Sequence, residues 1–279
     1  MTDHFITEDG LSLAFDDQGS GHPLLCLAGL TRNMDDFAPV VAGFAGTARI
    51  LRLDSRGRGR SQHDPDFHNY NIAQEARDAI ALLDHLELET VSILGTSRGG
   101  LIAMVLAASH PERIHGAILN DIGPAVEERG LSEIMAYLGQ KTAFRSHDEA
   151  VRALPSAMSP AFTDVPEATW RAFSEALWSE TAEGLELRYD PALRDAIVAQ
   201  SSEEGAVPDL WPLYDALATR PIALIRGENS NILSRETAKE MHRRQPALVL
   251  AEIAGRGHVP FLDEPAAQAV IADYLDRVG

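Results

Sequence analysis

The chain has 279 residues, 45% of them hydrophobic and 24% charged, and acidic residues outnumber basic ones 42 to 24 for a formal net charge of −18. This length can bury a full core in one large domain, and the acidic balance argues against nucleic acid or an anionic membrane as a partner. Met1-Thr2-Asp3-His4 is not a basic region followed by an apolar stretch, and the longest apolar run, near Leu101–Ala108, is too short to span a bilayer, so a cytoplasmic protein is expected.

In chain order, Phe5–Phe15 reads as an N-terminal hairpin turned at Glu8-Asp9-Gly10, because Asp-Gly suits a tight turn between strands. Leu24–Ala28 is a buried strand running into a glycine loop, and the single cysteine, Cys26, lies inside it as a small buried hydrophobe. Ala48–Leu53 is the next strand and ends at Asp54. Ile72–Leu86 carries apolar residues at Ile72, Ala76, Ile80 and Leu83, a helical period. Val91–Leu94, His115–Leu119, Ile222–Ile225 and Leu248–Ile253 supply further strands. This alternation predicts an α/β fold with a mostly parallel sheet and helices on both faces.

Between about Pro124 and Pro212 the rhythm breaks into helical stretches punctuated by Pro155, Pro160, Pro166 and Pro208. The division predicted is a core formed by residues 1–123 and 213–279 with a helical cap over residues 124–212. Trp170, Phe173 and Trp178 share one of its helical stretches and are expected to pack the cap. A cap at the C-terminal edge of an open sheet would shape the ligand crevice there.

Gly95-Thr96-Ser97-Arg98-Gly99-Gly100 stands between an apolar strand and an apolar helix. A serine at such a turn, with glycines two residues away on either side, has the pattern of a nucleophile elbow. A serine hydroxyl needs an adjacent base, and His258 in Gly255-Arg256-Gly257-His258-Val259-Pro260 follows the last strand, at the same sheet edge. The backbone N–H groups of Arg98 and of Leu30, in Ala28-Gly29-Leu30-Thr31-Arg32, are the candidate oxyanion donors. Arg32 and Asn33 either line the pocket or stabilise the loop. The scattered histidines suggest no metal site.

These segments, with Asp54-Ser55-Arg56-Gly57-Arg58-Gly59-Arg60-Ser61 and Leu262-Asp263-Glu264-Pro265, resemble the α/β-hydrolase superfamily over essentially the whole chain. The resemblance implies a Ser–His–acid triad acting on esters, lactones, thioesters or activated C–C bonds, with no cofactor. It implies a structural role for the arginine-rich loop, and a serine elbow argues against dehalogenase or epoxide hydrolase chemistry.

One position departs from the family pattern. The acid usually follows the strand before the histidine, in Gly227-Glu228-Asn229-Ser230-Asn231-Ile232-Leu233, and Asn231 stands where aspartate is expected. Glu228 falls too early in that loop. Three readings are open at this point. Asp121, after His115–Leu119, supplies the acid; or Asn231 is an introduced substitution in an active hydrolase; or the chain is a weak catalyst or a binder. The expected function is hydrolysis of a small, fairly apolar carboxylic ester or lactone. The alternatives are C–C hydrolysis of a ring-cleavage product, or a non-catalytic ligand receptor. The oligomeric state is left open.

Overall fold

A computed structural model describes residues 2–203 and 209–279. The N-terminal hairpin is β1 (Thr2–Ile6) and β2 (Ser12–Gly19), closed through a turn in which the Gly10 N–H donates to the Thr7 carbonyl at 2.9 Å. Then follow β3 (His22–Leu27), α1 (Ala38–Phe44), β4 (Ala48–Leu53), α2 (Ile72–His85), β5 (Val91–Thr96), α3 (Arg98–Ser109) and β6 (Ile114–Asn120). The next stretch holds α4 (Glu128–Tyr137), α5 (His147–Ala157), α6 (Glu167–Leu177), β7 (Trp178–Thr181), β8 (Gly184–Leu187) and α7 (Leu193–Glu203). The chain returns to the sheet with α8 (Trp211–Leu217), β9 (Ile222–Gly227), α9 (Arg235–Arg244), β10 (Val249–Ile253) and α10 (Pro265–Val278).

Eight strands form one sheet in the order β1-β2-β4-β3-β5-β6-β9-β10. The two steps from β1 to β2 and from β2 to β4 are antiparallel, and all the others are parallel. The inner strands are buried on both faces, so their side chains alternate between two cores rather than between core and water. Leu25, Leu27 and Ile93 join Leu82, Ile102 and Met104 of α2 and α3 on one face. Leu24, Cys26 and Leu94 join Phe37, Val40 and Ile271 on the other, under α1 and α10. Burial also pushes the Cys26 thiol pKa upward, as expected of an inert hydrophobe.

This order places the crevice. After β3 the chain moves outward to β4, then crosses back to form β5 on the other side of β3. Leu27 and Gly95 pair at the C-terminal ends of these two adjacent strands, and the chains leaving them pass to opposite faces. A gap must open there.

Residues 124–212 differ from expectation in two respects. They contain a short antiparallel hairpin, β7 with β8, and Trp178 begins that hairpin instead of continuing the helix of Trp170 and Phe173. With only four residues in each strand, and Ser179, Glu180 and Glu186 among them, the hairpin carries too little apolar alternation to be read in advance. Pro155 sits in the last turn of α5 and does not end it, while Pro166 caps α6; Pro208 lies outside the described residues. Trp170 and Phe173 do pack this segment, with Val151, Leu154, Phe162 and Trp178, and each also lies edge-on to Phe261, which follows His258 in the chain. On its other side the segment is tied to the arginine-rich loop, where the Gly59 N–H donates to the Arg188 carbonyl at 2.8 Å and the Asp190 N–H to that of Gly57 at 2.7 Å.

The Leu25 side chain lies wholly inside the first core. Leu25→Ala is expected to lower stability by about 2–5 kcal/mol, the range for truncating a buried leucine. Urea unfolding should show this as a lower midpoint at unchanged slope.

Candidate active site

The turn from β5 into α3 holds Ser97 at φ 51° and ψ −116°, a left-handed backbone that a non-glycine residue adopts only under constraint. The constraint comes from the neighbours. A Cβ at Gly95 would stand 2.5 Å from the Gly100 nitrogen, and one at Gly99 would stand 2.0 Å from the Leu27 carbonyl oxygen. Both glycines are therefore obligatory for the close approach of elbow, helix and β3. The Ser97 N–H is anchored on the Asn120 carbonyl at 3.0 Å.

His258 stands between Ser97 and Asp121. Its Nε2 is 2.9 Å from Ser97 Oγ, and its Nδ1 is 2.7 Å from Asp121 Oδ2. An ionised carboxylate only accepts, so Nδ1 carries the proton, leaving the Nε2 lone pair facing the serine hydroxyl. Asp121 is fully buried and held from three sides. Besides His258, the Gly227 N–H donates to Oδ1 at 2.8 Å and the Ser230 hydroxyl to Oδ2 at 2.6 Å. Asp121 itself has φ 57°, a conformation that aspartate tolerates better than most residues, and its N–H bonds the Ile225 carbonyl.

Asn231 does not meet the imidazole. Its amide NH₂ donates instead to Glu133 on α4, so the loop after β9 presents Ser230, one residue earlier, toward the site. The carboxylate facing the histidine comes from the end of β6. The side chain at position 231 points the other way because Ser230 Oγ also accepts from the N–H groups of Ile232 and Leu233, closing a tight turn there. Glu228 is spent on the Gly255 N–H.

The loop after β3 lies against the serine: a Cβ at Gly29 would be 3.7 Å from Ser97 Cβ. Leu30 follows in that loop, and Arg98 opens α3, where the first N–H groups have no partner within the helix. Arg32 is bound through two nitrogens to Asp36 and lies 4.2 Å over the Phe173 ring. Asn33 is buried, accepts from the Asp35 N–H and donates to the Ala176 carbonyl. Both side chains thus join the loop to α6.

The arginine-rich loop is internal wiring. Arg56 is fully buried and binds Asp78 through two nitrogens (2.7 and 2.6 Å), Asp64 at 2.5 Å and Asp9 at 3.0 Å. Arg60 pairs with Asp35 near the surface. Arg58 and Arg98 converge on a buried carboxylate, Glu75. Sequence reasoning missed Ser230 and Glu75. Ser230 gave no signal, but Glu75 and Asp78 lie on the otherwise apolar buried face of an amphipathic helix, which marks them as paired groups.

Among the described residues no group of three or more His, Cys, Asp or Glu side chains is placed to hold a metal ion, and no helix is long and apolar enough to cross a membrane.

A sheet of this order, with serine, histidine and carboxylate on the loops at one edge, defines a class of protein, and comparison agrees. The alpha/beta hydrolase fold family matches residues 22–265, and the chain belongs to that family. Hydrolases are among its relatives along nearly the whole length. The chain is 32% identical to a 3-hydroxybutyrate-oligomer hydrolase of Cupriavidus necator, over 93% of this chain and 90% of that protein. It is 24% identical to a 2-(acetamidomethylene)succinate hydrolase of Mesorhizobium japonicum, over 92% and 90%. The crystal structure of an alpha/beta hydrolase from Novosphingobium aromaticivorans superposes with a TM-score of 0.92 at 38% identity, covering 100% of this chain and 98% of that one.

Replacing Asp121 with asparagine is expected to lower turnover of a short aryl ester by about 10⁴-fold, the effect of the same change in serine proteases. Asn231→Asp, beside Glu133 and away from the histidine, should leave turnover within about threefold. Steady-state kinetics of the two variants side by side checks both expectations.

Proposed function

We propose that this protein is a serine hydrolase that cleaves a small, fairly apolar carboxylic ester through an acyl-enzyme. The observation that carries this reading is the continuous hydrogen-bonded chain from Ser97 Oγ through His258 to Asp121, at the mouth of the crevice between β3 and β5. A poor nucleophile sits within reach of a base, and the base is oriented by a buried carboxylate.

In the reaction, His258 Nε2 takes the Ser97 hydroxyl proton as Oγ attacks the ester carbonyl carbon. The carbonyl π pair moves onto oxygen, and the N–H groups of Leu30 and Arg98 receive that oxyanion. Asp121 stabilises the imidazolium that forms without taking its proton. As the tetrahedral intermediate collapses, the ester C–O bond breaks and His258 delivers the proton to the departing alkoxide. Water then enters, His258 removes its proton, and hydroxide attacks the acyl-enzyme. Collapse releases the carboxylic acid and returns the proton to Ser97. Residues 124–212 act in this reading as a cap, docked on the oxyanion loop through Arg32 and Asn33 and beside the histidine loop through Phe261.

The relative acting on 3-hydroxybutyrate oligomers favours a linear ester, since oligomers of a hydroxy acid are joined by ester bonds. The relative acting on 2-(acetamidomethylene)succinate is the observation that keeps a second reading, hydrolysis of another activated acyl compound, in view. A non-catalytic receptor is disfavoured, because ligand binding alone does not require a serine, a base and a carboxylate in register.

A panel of short aryl esters, a methyl-capped hydroxy-acid dimer, a lactone and a vinylogous β-dicarbonyl substrate tests the reading. Turnover should be highest on the linear esters, and Ser97→Ala should reduce it by on the order of 10⁶-fold and abolish labelling by a fluorophosphonate. A parent protein that is inert to the probe is a receptor, and one that cleaves only the dicarbonyl compound is a C–C hydrolase.

A further inference from the structure

Beneath the two candidate oxyanion donors lies a group that the steps above do not use. Glu75 of α2 is buried, 3% exposed, and its carboxylate lies between two guanidinium groups. Arg98 Nε donates to Oε2 and Arg98 NH2 to Oε1, both at 2.9 Å. Arg58 NH1 donates to Oε1, also at 2.9 Å. Arg98 is the residue after the nucleophile, so its own backbone N–H is one oxyanion donor. Arg58 is fastened at its other nitrogen: its Nε donates to the carbonyl oxygen of Leu30 at 2.8 Å, and Leu30 supplies the other donor. Two further bonds, from Arg58 NH1 to the Arg56 carbonyl at 2.8 Å and from Arg98 NH2 to the Tyr70 carbonyl at 3.2 Å, fix the arms in place.

From this geometry we infer that Glu75 is a positioning residue for the oxyanion hole, clamping Leu30 and Arg98 in register through Arg58 and Arg98. The inference rests on the serine-hydrolase reading above. Its physical basis is that the two donors come from different loops, one after β3 and the other after β5. Nothing in the sheet ladder fixes their spacing beyond Leu27 and Gly95, the last pair between the two strands. A hole of this kind works only if its N–H groups already point at the place where charge will develop. One carboxylate reaching both loops through planar, two-armed guanidinium contacts supplies that rigidity, and the three groups are buried, so water does not compete for the bonds. Arg98 is itself one donor residue, and Arg58 joins the other to the same carboxylate through the Leu30 carbonyl.

The test uses Arg58→Met and Arg98→Met in the full chain, which release one loop each. Each should lower kcat on a short aryl ester by about 10- to 100-fold with KM little changed, the scale of a sub-ångström loss of alignment. The affinity for an alkyl trifluoromethyl ketone, whose hemiketal oxygen occupies the oxyanion position, should fall in step with kcat/KM. If either variant fails to fold, Arg58→Lys and Arg98→Lys keep the buried charge balance but lose the two-armed contacts, and should show the same loss. Folded variants that keep kcat within twofold overturn the clamp. So do variants that lose activity through KM while binding the ketone as tightly as the parent. A parent that neither turns over the ester nor binds the ketone overturns the serine-hydrolase reading, and the clamp with it.

Discussion

Where β5 becomes α3 the backbone turns within one residue, in space shared with the neighbouring strand. A side chain at position 99 would drive into the Leu27 carbonyl, so elbow and β3 meet at contact distance. That approach brings Gly29, in the loop after β3, against Ser97. It also sets where the histidine must come from. Only loops leaving the same sheet edge can reach the serine, and His258 and Asp121 both lie on such loops, after β10 and β6. Left-handed backbone at both Ser97 and Asp121 places the strain at the two turn residues, with regular geometry kept in the strands behind them.

The polar interior follows a second logic. The two hydrophobic cores hold the sheet between its helices, while the arginine-rich loop lies in a third region packed with ions. Arg56 with Asp64 and Asp78, and Glu75 with its two arginines, are desolvated groups that need one another, while Asp9 meets Arg56 from an exposed turn. Removing one member of such a buried set typically costs about 3–5 kcal/mol, because a charge is left without compensation. These clusters join the loop after β4 to helix α2, and the residue 188–190 stretch is fastened to that same loop.

Much of the fold was legible because its signals are local. Buried strands of five or six residues, a helical period in Ile72–Leu86, and glycines around a serine each carry their meaning within a short window. The β7–β8 hairpin escaped because four-residue strands with charged members have no such window. The serine and the histidine could be picked out by motif and by place in the strand order. The carboxylate could not be settled, because Asp121 and the Asn231 loop lie at the ends of adjacent strands, β6 and β9, and which of them turns toward the imidazole depends on a hydroxyl, Ser230. The convergence of Arg58 and Arg98 on Glu75 links three distant stretches of chain, and no spacing within the sequence announces it.

The pairing of Asp121 with Ser230 draws on two neighbouring strands. The end of β6 delivers the carboxylate that meets the imidazole Nδ1, and the loop after the neighbouring β9 delivers a hydroxyl that donates to that carboxylate. The socket for the acid thus belongs to the space between strands and to neither strand alone. The carboxylate at the end of β6 and the hydroxyl of the loop after β9 meet there, while Ser97 and His258 are held by other loops. The order of residues along a chain is then a poor record of the order of groups in the site.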